Sequence, residues 1–171
     1  MEAFSKLSDE LGKRGVQGEL NVVGGTAMVL AFNSRQSTQD VDAIFQPSAE
    51  VRLAASAVAV ELDLPSDWLN DAAKGFLSQN GDFVPLDALD LPNLRVQAPT
   101  AEYMLAMKVL AARSGIGSEH GDAADIAFLI RLLALTEAEE VMRIVGRYYD
   151  PSRILPRSTY LVDEILDGFH Q

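Results

Sequence analysis

Two short runs in this chain carry residue types that do chemistry. Gly24-Gly25-Thr26 lies between a β-prone run, Glu19-Leu-Asn-Val-Val23, and a helix-prone run, Thr26 to Phe32, and Asp40-Val41-Asp42 begins 14 residues after Thr26. In a strand, residues i and i+2 point to the same face about 7 Å apart at the backbone, so Asp40 and Asp42 can converge on one or two hard cations while Val41 faces the core. Two glycines let a backbone approach a phosphate with no Cβ in the way, and the N-terminus of the following helix offers unpaired N–H groups and a positive dipole end. Thr26 adds a hydroxyl. A phosphate cradle opposite a carboxylate pair is the arrangement that metal-assisted phosphoryl or nucleotidyl transfer needs. Each piece also has a plainer reading, a tight turn for the glycines and a solvated strand end or Asx-turn for Asp-x-Asp. Their ordered combination favours a metal and phosphate site.

Two further constellations lie in the C-terminal half. Lys108 is the sole charged residue from Tyr103 to Ala112 and shares a helical face with Met104 and Ala111, so its ammonium emerges among apolar neighbours and needs a partner or an edge to snorkel to. Asp122 and Asp125 stand three apart, on the side of Ile126, Leu129, Ile130 and Leu133 and at the N-terminal end of that stripe. Helix capping accounts for Asp122 without any function, and Asp125 is the stronger functional candidate. His120 reads as a loop residue, and His170 is terminal.

The elements that must position these groups follow from hydropathy. Phe4, Leu7 and Leu11 predict a helix over 3–13, the run 19–23 a strand, 26–32 a helix and 40–45 a second strand stopped by Pro47. Ser48 is placed to cap a helix running to Leu62. Trp68-Leu69 suggests a short helix, and Phe83-Val84 and Leu94–Gln97 further short strands between prolines and glycines. From Thr100 the pattern turns helical, with segments over 100–113, 122–134, 137–148 and 158–168. Thr136 with Glu139 has capping-box spacing, and Ser158 or Thr159 can cap the last helix. The expected fold class is α+β, a small mixed sheet with flanking helices over 1–99 and a mostly helical part over 100–171 packed on it as one unit.

The chain has 171 residues, 14 Lys and Arg against 25 Asp and Glu, a formal charge of -11 and no cysteine. This composition excludes a disulfide scaffold and an extended disordered or collagen-like chain, and its field repels bare phosphate backbones. A nucleotide held through a metal stays compatible, because the cation brings the compensating charge. No basic leader with an apolar stretch and no membrane-length apolar window is visible, so no membrane association and a cytoplasmic location are expected.

The run Gly24 to Phe45, GGTAMVLAFNSRQSTQDVDAIF, resembles the minimal nucleotidyltransferases of the DNA polymerase beta-like superfamily, and in particular a bacterial group related to AbiEii-type toxins of type IV toxin-antitoxin systems. Arg35-Gln36-Ser37-Thr38-Gln39-Asp40-Val41-Asp42 is similar to that family's Arg-Ser-Thr-x-Asp-Val-Asp lead-in, and Asp67 to Phe76 and Ala106 to Ala111 also look like segments of the group. The resemblance implies a nucleotidyltransferase-like fold, Mg²⁺ or Mn²⁺ on Asp40 and Asp42, and a nucleoside triphosphate as substrate. Gly24, Gly25 and Thr26 would hold its phosphates, with Lys108 touching a phosphate and Asp125 orienting that lysine or the acceptor. The acceptor stays open among a tRNA end, a protein side chain and a small molecule, and a toxin would imply an antitoxin protein partner. The chain departs from the family in two ways: Leu94-Arg95-Val96-Gln97 lacks a third carboxylate, and Gln36 and Gln39 stand where basic residues are frequent. The rival classes are a non-catalytic descendant acting as a partner-binding module and a different phosphate chemistry at the same cradle.

Overall fold

The computed structural model describes residues 1–34, 40–112 and 122–169, and the Arg35 to Gln39 lead-in, His120 and His170 lie outside the described residues. The chain divides into two compact units, Met1–Gly75 with Phe83–Ala98, and Phe76–Asp82 with Pro99–Gln171. The elements are those of an α+β protein, a five-stranded mixed sheet with flanking helices and a helical C-terminal half.

In the first unit the elements are α1 (Glu2–Lys13), β1 (Gly18–Val22), α2 (Gly24–Leu30), β2 (Val41–Gln46), α3 (Ser48–Leu62), β3 (Leu69–Asn70), β4 (Phe83–Pro85) and β5 (Leu94–Pro99). The sheet order is β3-β2-β1-β5-β4, with β1 antiparallel to β2 and parallel to β5, and β2 parallel to β3. Strand alternation gives the sheet two unlike faces. Leu20, Val22, Ala43, Phe45, Leu94 and Val96 are buried on one face, together with Phe4, Leu7 and Leu11 of α1 and Val51, Ala54 and Val58 of α3. The opposite face carries Glu19 and Asn21 of β1, Asp42 and Ile44 of β2, and Arg95 and Gln97 of β5. The polar face of the three central strands therefore carries Asp42, and the apolar face holds the strands in place.

Three local expectations change. Trp68-Leu69 does not start a helix: Leu69–Asn70 is a strand whose residues pair with Val41 and Asp42, and the Trp68 indole N–H donates to the Ala55 carbonyl at 3.0 Å. Ser48 is the first residue of α3 and makes no side-chain cap; Pro47 holds the capping position. Asp40 sits in a bend before β2, so the strand that carries Asp42 begins one residue later than its pattern suggests.

The second unit packs α4 (Ala101–Ala111), α5 (Asp122–Leu132), α6 (Ala138–Tyr148) and α7 (Pro156–Asp167) against one another. Seven consecutive residues of α4, Tyr103 to Val109, are buried, as a helix surrounded by others requires. Its N-cap is Thr100, whose hydroxyl accepts from the Tyr103 N–H at 3.3 Å. The segment Phe76–Asp82, expected with residues 1–99, belongs to this unit because tyrosines hold it there. The Tyr103 hydroxyl accepts from the Ser78 N–H at 2.8 Å, Tyr148 donates to Asp82 at 2.8 Å and Tyr149 donates to the Phe76 carbonyl at 2.5 Å. A Cβ on Gly81 would lie 2.7 Å from the Tyr103 ring, so only glycine lets the segment press this closely. The capping box of α6 is formed by Glu137 and Glu140, one residue beyond the Thr136–Glu139 spacing. The α7 helix opens on Pro156 with Leu155 as N-cap, so Ser158 and Thr159 lie inside it.

Candidate functional site

The first unit brings Gly24, Gly25, Thr26, Asp40 and Asp42 together around the turn from β1 into α2. The turn is fixed by backbone geometry. Gly24 has φ +57, in the left-handed region that L side chains rarely adopt. A Cβ there would stand 2.9 Å from the Asp42 Oδ2, inside ordinary contact distance. The turn favours glycine at this position, and any Cβ there would also push the Asp42 carboxylate aside. The Val23 N–H donates to the Asp42 carbonyl at 2.9 Å, which ties the start of α2 to β2.

Thr26 is only 3% exposed, and its hydroxyl donates to the Asp40 carbonyl at 3.1 Å. The hydroxyl that the sequence offers to a phosphate is thus engaged in holding the bend that precedes β2. Asp40 itself is exposed and Asp42 half-buried. The helix α2 has seven residues, so its backbone N–H groups rather than a long macrodipole are what it presents at Gly24 and Gly25.

Carboxylates are the kind of oxygen donor that a hard divalent cation takes. Asp40 and Asp42 supply anionic oxygens, and Gly24 leaves open the space beside one of them that any other side chain would fill. Among the described residues no group of three or more His, Asp or Glu side chains is placed to hold a metal, so the acidic ligands number two at most. Sequence reasoning missed Asn21. Its side-chain oxygen is buried with no hydrogen-bond partner among the described residues, and Asn21 lies on the same sheet face as Asp42. The available signal was an amide between the apolar Leu20 and Val22 of β1.

The second unit brings Lys108, Asp122 and Asp125 together. The Lys108 ammonium lies 2.9 Å from Asp122 Oδ1 and 2.8 Å from Asp125 Oδ2, with Lys108 at 9% and Asp125 at 6% residue exposure. Asp122 therefore joins an ion pair as well as standing in the first turn of α5, where its charge suits the helix start. Helix periodicity explains the convergence: residues three apart at the start of α5 share the face turned to α4.

No family model matches the chain, and no match is found among curated proteins or solved structures. Among the described residues no helix is long and apolar enough to cross a membrane.

Proposed function

We propose that the chain is a metal-dependent nucleotidyltransferase that moves a nucleoside monophosphate from a nucleoside triphosphate to an acceptor. The observation that carries this reading is the contact of Asp42 with Gly24, a carboxylate pressed against a left-handed glycine turn at the start of a helix. Asp40 and Asp42 would hold Mg²⁺ or Mn²⁺. The cation supplies Lewis-acid polarisation of the α-phosphate and neutralises charge on the departing pyrophosphate. The chain's own groups do the positioning. Gly24 and Gly25 expose backbone N–H groups to the phosphate tail, Thr26 fixes the Asp40 bend through its carbonyl, and the β1–β2 ladder fixes Asp42. The charge of -11 supports an acceptor that is a protein side chain or small molecule at least as well as a tRNA end. An acceptor of that kind, and an antitoxin partner, belong to the same proposal.

The test is product identity. The protein is incubated with each nucleoside triphosphate, Mg²⁺ and acceptors of the three classes. The reading expects release of pyrophosphate that is lost in Asp42→Asn. A nucleoside diphosphate product would instead mark a different chemistry at the same cradle, hydrolysis where orthophosphate is released with it and phosphotransfer where the phosphate appears on the acceptor. Absence of any nucleotide turnover or binding would leave the fold as a partner-binding module.

A further inference from the structure

Among the described residues, the Asn21 carboxamide oxygen is the one buried side-chain polar atom with no hydrogen-bond partner. Burying an acceptor without a partner costs its desolvation with nothing in return, so a native position that keeps one calls for an unseen donor or ion. Its surroundings decide which. Asn21 alternates with Leu20 and Val22, both at 0% exposure in the core, which puts its side chain on the opposite, polar face of the sheet. It sits opposite Ile44 of β2 and Gln97 of β5. Asp42 follows one pleat along on β2, on the same face, and such diagonal cross-strand neighbours stand about 7–8 Å apart at the backbone, within reach of side chains of this length. A carboxylate and an orphaned carboxamide oxygen on neighbouring strands of one sheet face are both acceptors, and a hard divalent cation takes both kinds of oxygen as ligands.

We propose that Asn21 supplies a third protein oxygen, a neutral one, to the divalent cation held by Asp40 and Asp42. The inference rests on the metal-site reading above and adds the ligand that replaces a third carboxylate. Metal affinity in oxygen sites follows the count of charged ligands, so an aspartate at position 21 tightens binding of the bare ion and an apolar residue weakens it.

The experiment titrates Mn²⁺ alone into the full chain, followed by its electron paramagnetic resonance signal, for the wild type, Asn21→Leu, Asn21→Asp and Asp42→Ala. Melting temperatures are recorded with and without Mn²⁺. The expected result is Mn²⁺ binding weakened about tenfold or more in Asn21→Leu and tightened in Asn21→Asp, with Asn21→Leu melting no lower than the wild type in the absence of metal. Unchanged Mn²⁺ binding in Asn21→Leu, alongside its loss in Asp42→Ala, overturns the role of Asn21 and leaves the metal site standing. A wild type whose Mn²⁺ uptake does not differ from that of Asp42→Ala overturns both. A metal-free Asn21→Leu that melts well below the wild type, with Asn21→Asp binding Mn²⁺ no more tightly, makes the residue structural and also overturns the inference.

Discussion

Gly24→Ala is the sharpest perturbation of the candidate site, because one methyl group meets two separate obstacles. The left-handed backbone at φ +57 costs an L residue about 1–2 kcal/mol. The new Cβ would also stand 2.9 Å from Asp42 Oδ2, where ordinary contact begins at 3.4 Å, so the carboxylate must withdraw by about half an ångström. Together these place the loss near 2 kcal/mol, which for a chain of this size lowers the melting temperature by roughly 4–8 °C. The assay is differential scanning calorimetry of Gly24→Ala, Asp42→Ala and the double variant. Removing Asp42 leaves only the backbone strain, so alanine at position 24 should cost less in the Asp42→Ala background, and the coupling isolates the contact. Gly146→Ala is the control: it lies inside α6 with nothing within 4 Å of the place its new methyl would take, and it should raise stability by about 0.5–1 kcal/mol. A Gly24→Ala protein that melts within a degree of the wild type and shows no coupling to position 42 would refute the reasoning.

Other perturbations address the second unit. Lys108→Met removes the ammonium that lies against Asp122 and the buried Asp125, and should cost about 3–5 kcal/mol in urea unfolding, part of it regained when both aspartates become asparagine. Burial, and then the hydrogen bond to Asp82, raise the Tyr148 hydroxyl to about 12. A raised folded-state value means that stability is complete below the usual tyrosine range near 10 and is lost as pH climbs toward 12, so the melting difference between wild type and Asp82→Leu should shrink as pH rises from 10 toward 12. The backbone N–H groups of Thr136 and then Glu137 hold Glu140 below the usual carboxylate range. That contribution is present above the ordinary glutamate value and lost as pH falls through the depressed one, so the melting difference between wild type and Glu140→Gln should shrink in acid.

The periodic helices and four of the five strands were legible in the sequence, and two-residue β3 was not. The stripes of Phe4, Leu7 and Leu11 and of Val51 and Val58 predict α1 and α3 because burying one face of a helix repeats over several turns. Two-residue β3 has no period to show, and its conformation comes from pairing with Val41 and Asp42, a tertiary effect. The capping box of α6 moved by one residue, since Glu140 accepts from both Thr136 and Glu137 and the spacing alone does not say which one caps. The attachment of Phe76–Asp82 to the helical unit rests on three tyrosine hydroxyls that lie 25 or more residues from their partners in the chain, beyond any local pattern. At the site, Gly24, Asp40 and Asp42 were visible as residue types in order, whereas the left-handed turn and the engagement of the Thr26 hydroxyl needed coordinates. Asn21 shows the limit most clearly: an amide in a strand is ordinary until its oxygen is found buried and unpartnered.

The measurement to make first is calorimetric titration of the purified protein with each of the four ribonucleoside triphosphates in the presence of Mg²⁺, in parallel with Asp42→Ala. Metal-dependent nucleotidyl transfer predicts binding of at least one triphosphate in the micromolar to millimolar range, dependent on Mg²⁺ and absent in Asp42→Ala. Silence with all four, or binding that Asp42→Ala leaves unchanged, would contradict it.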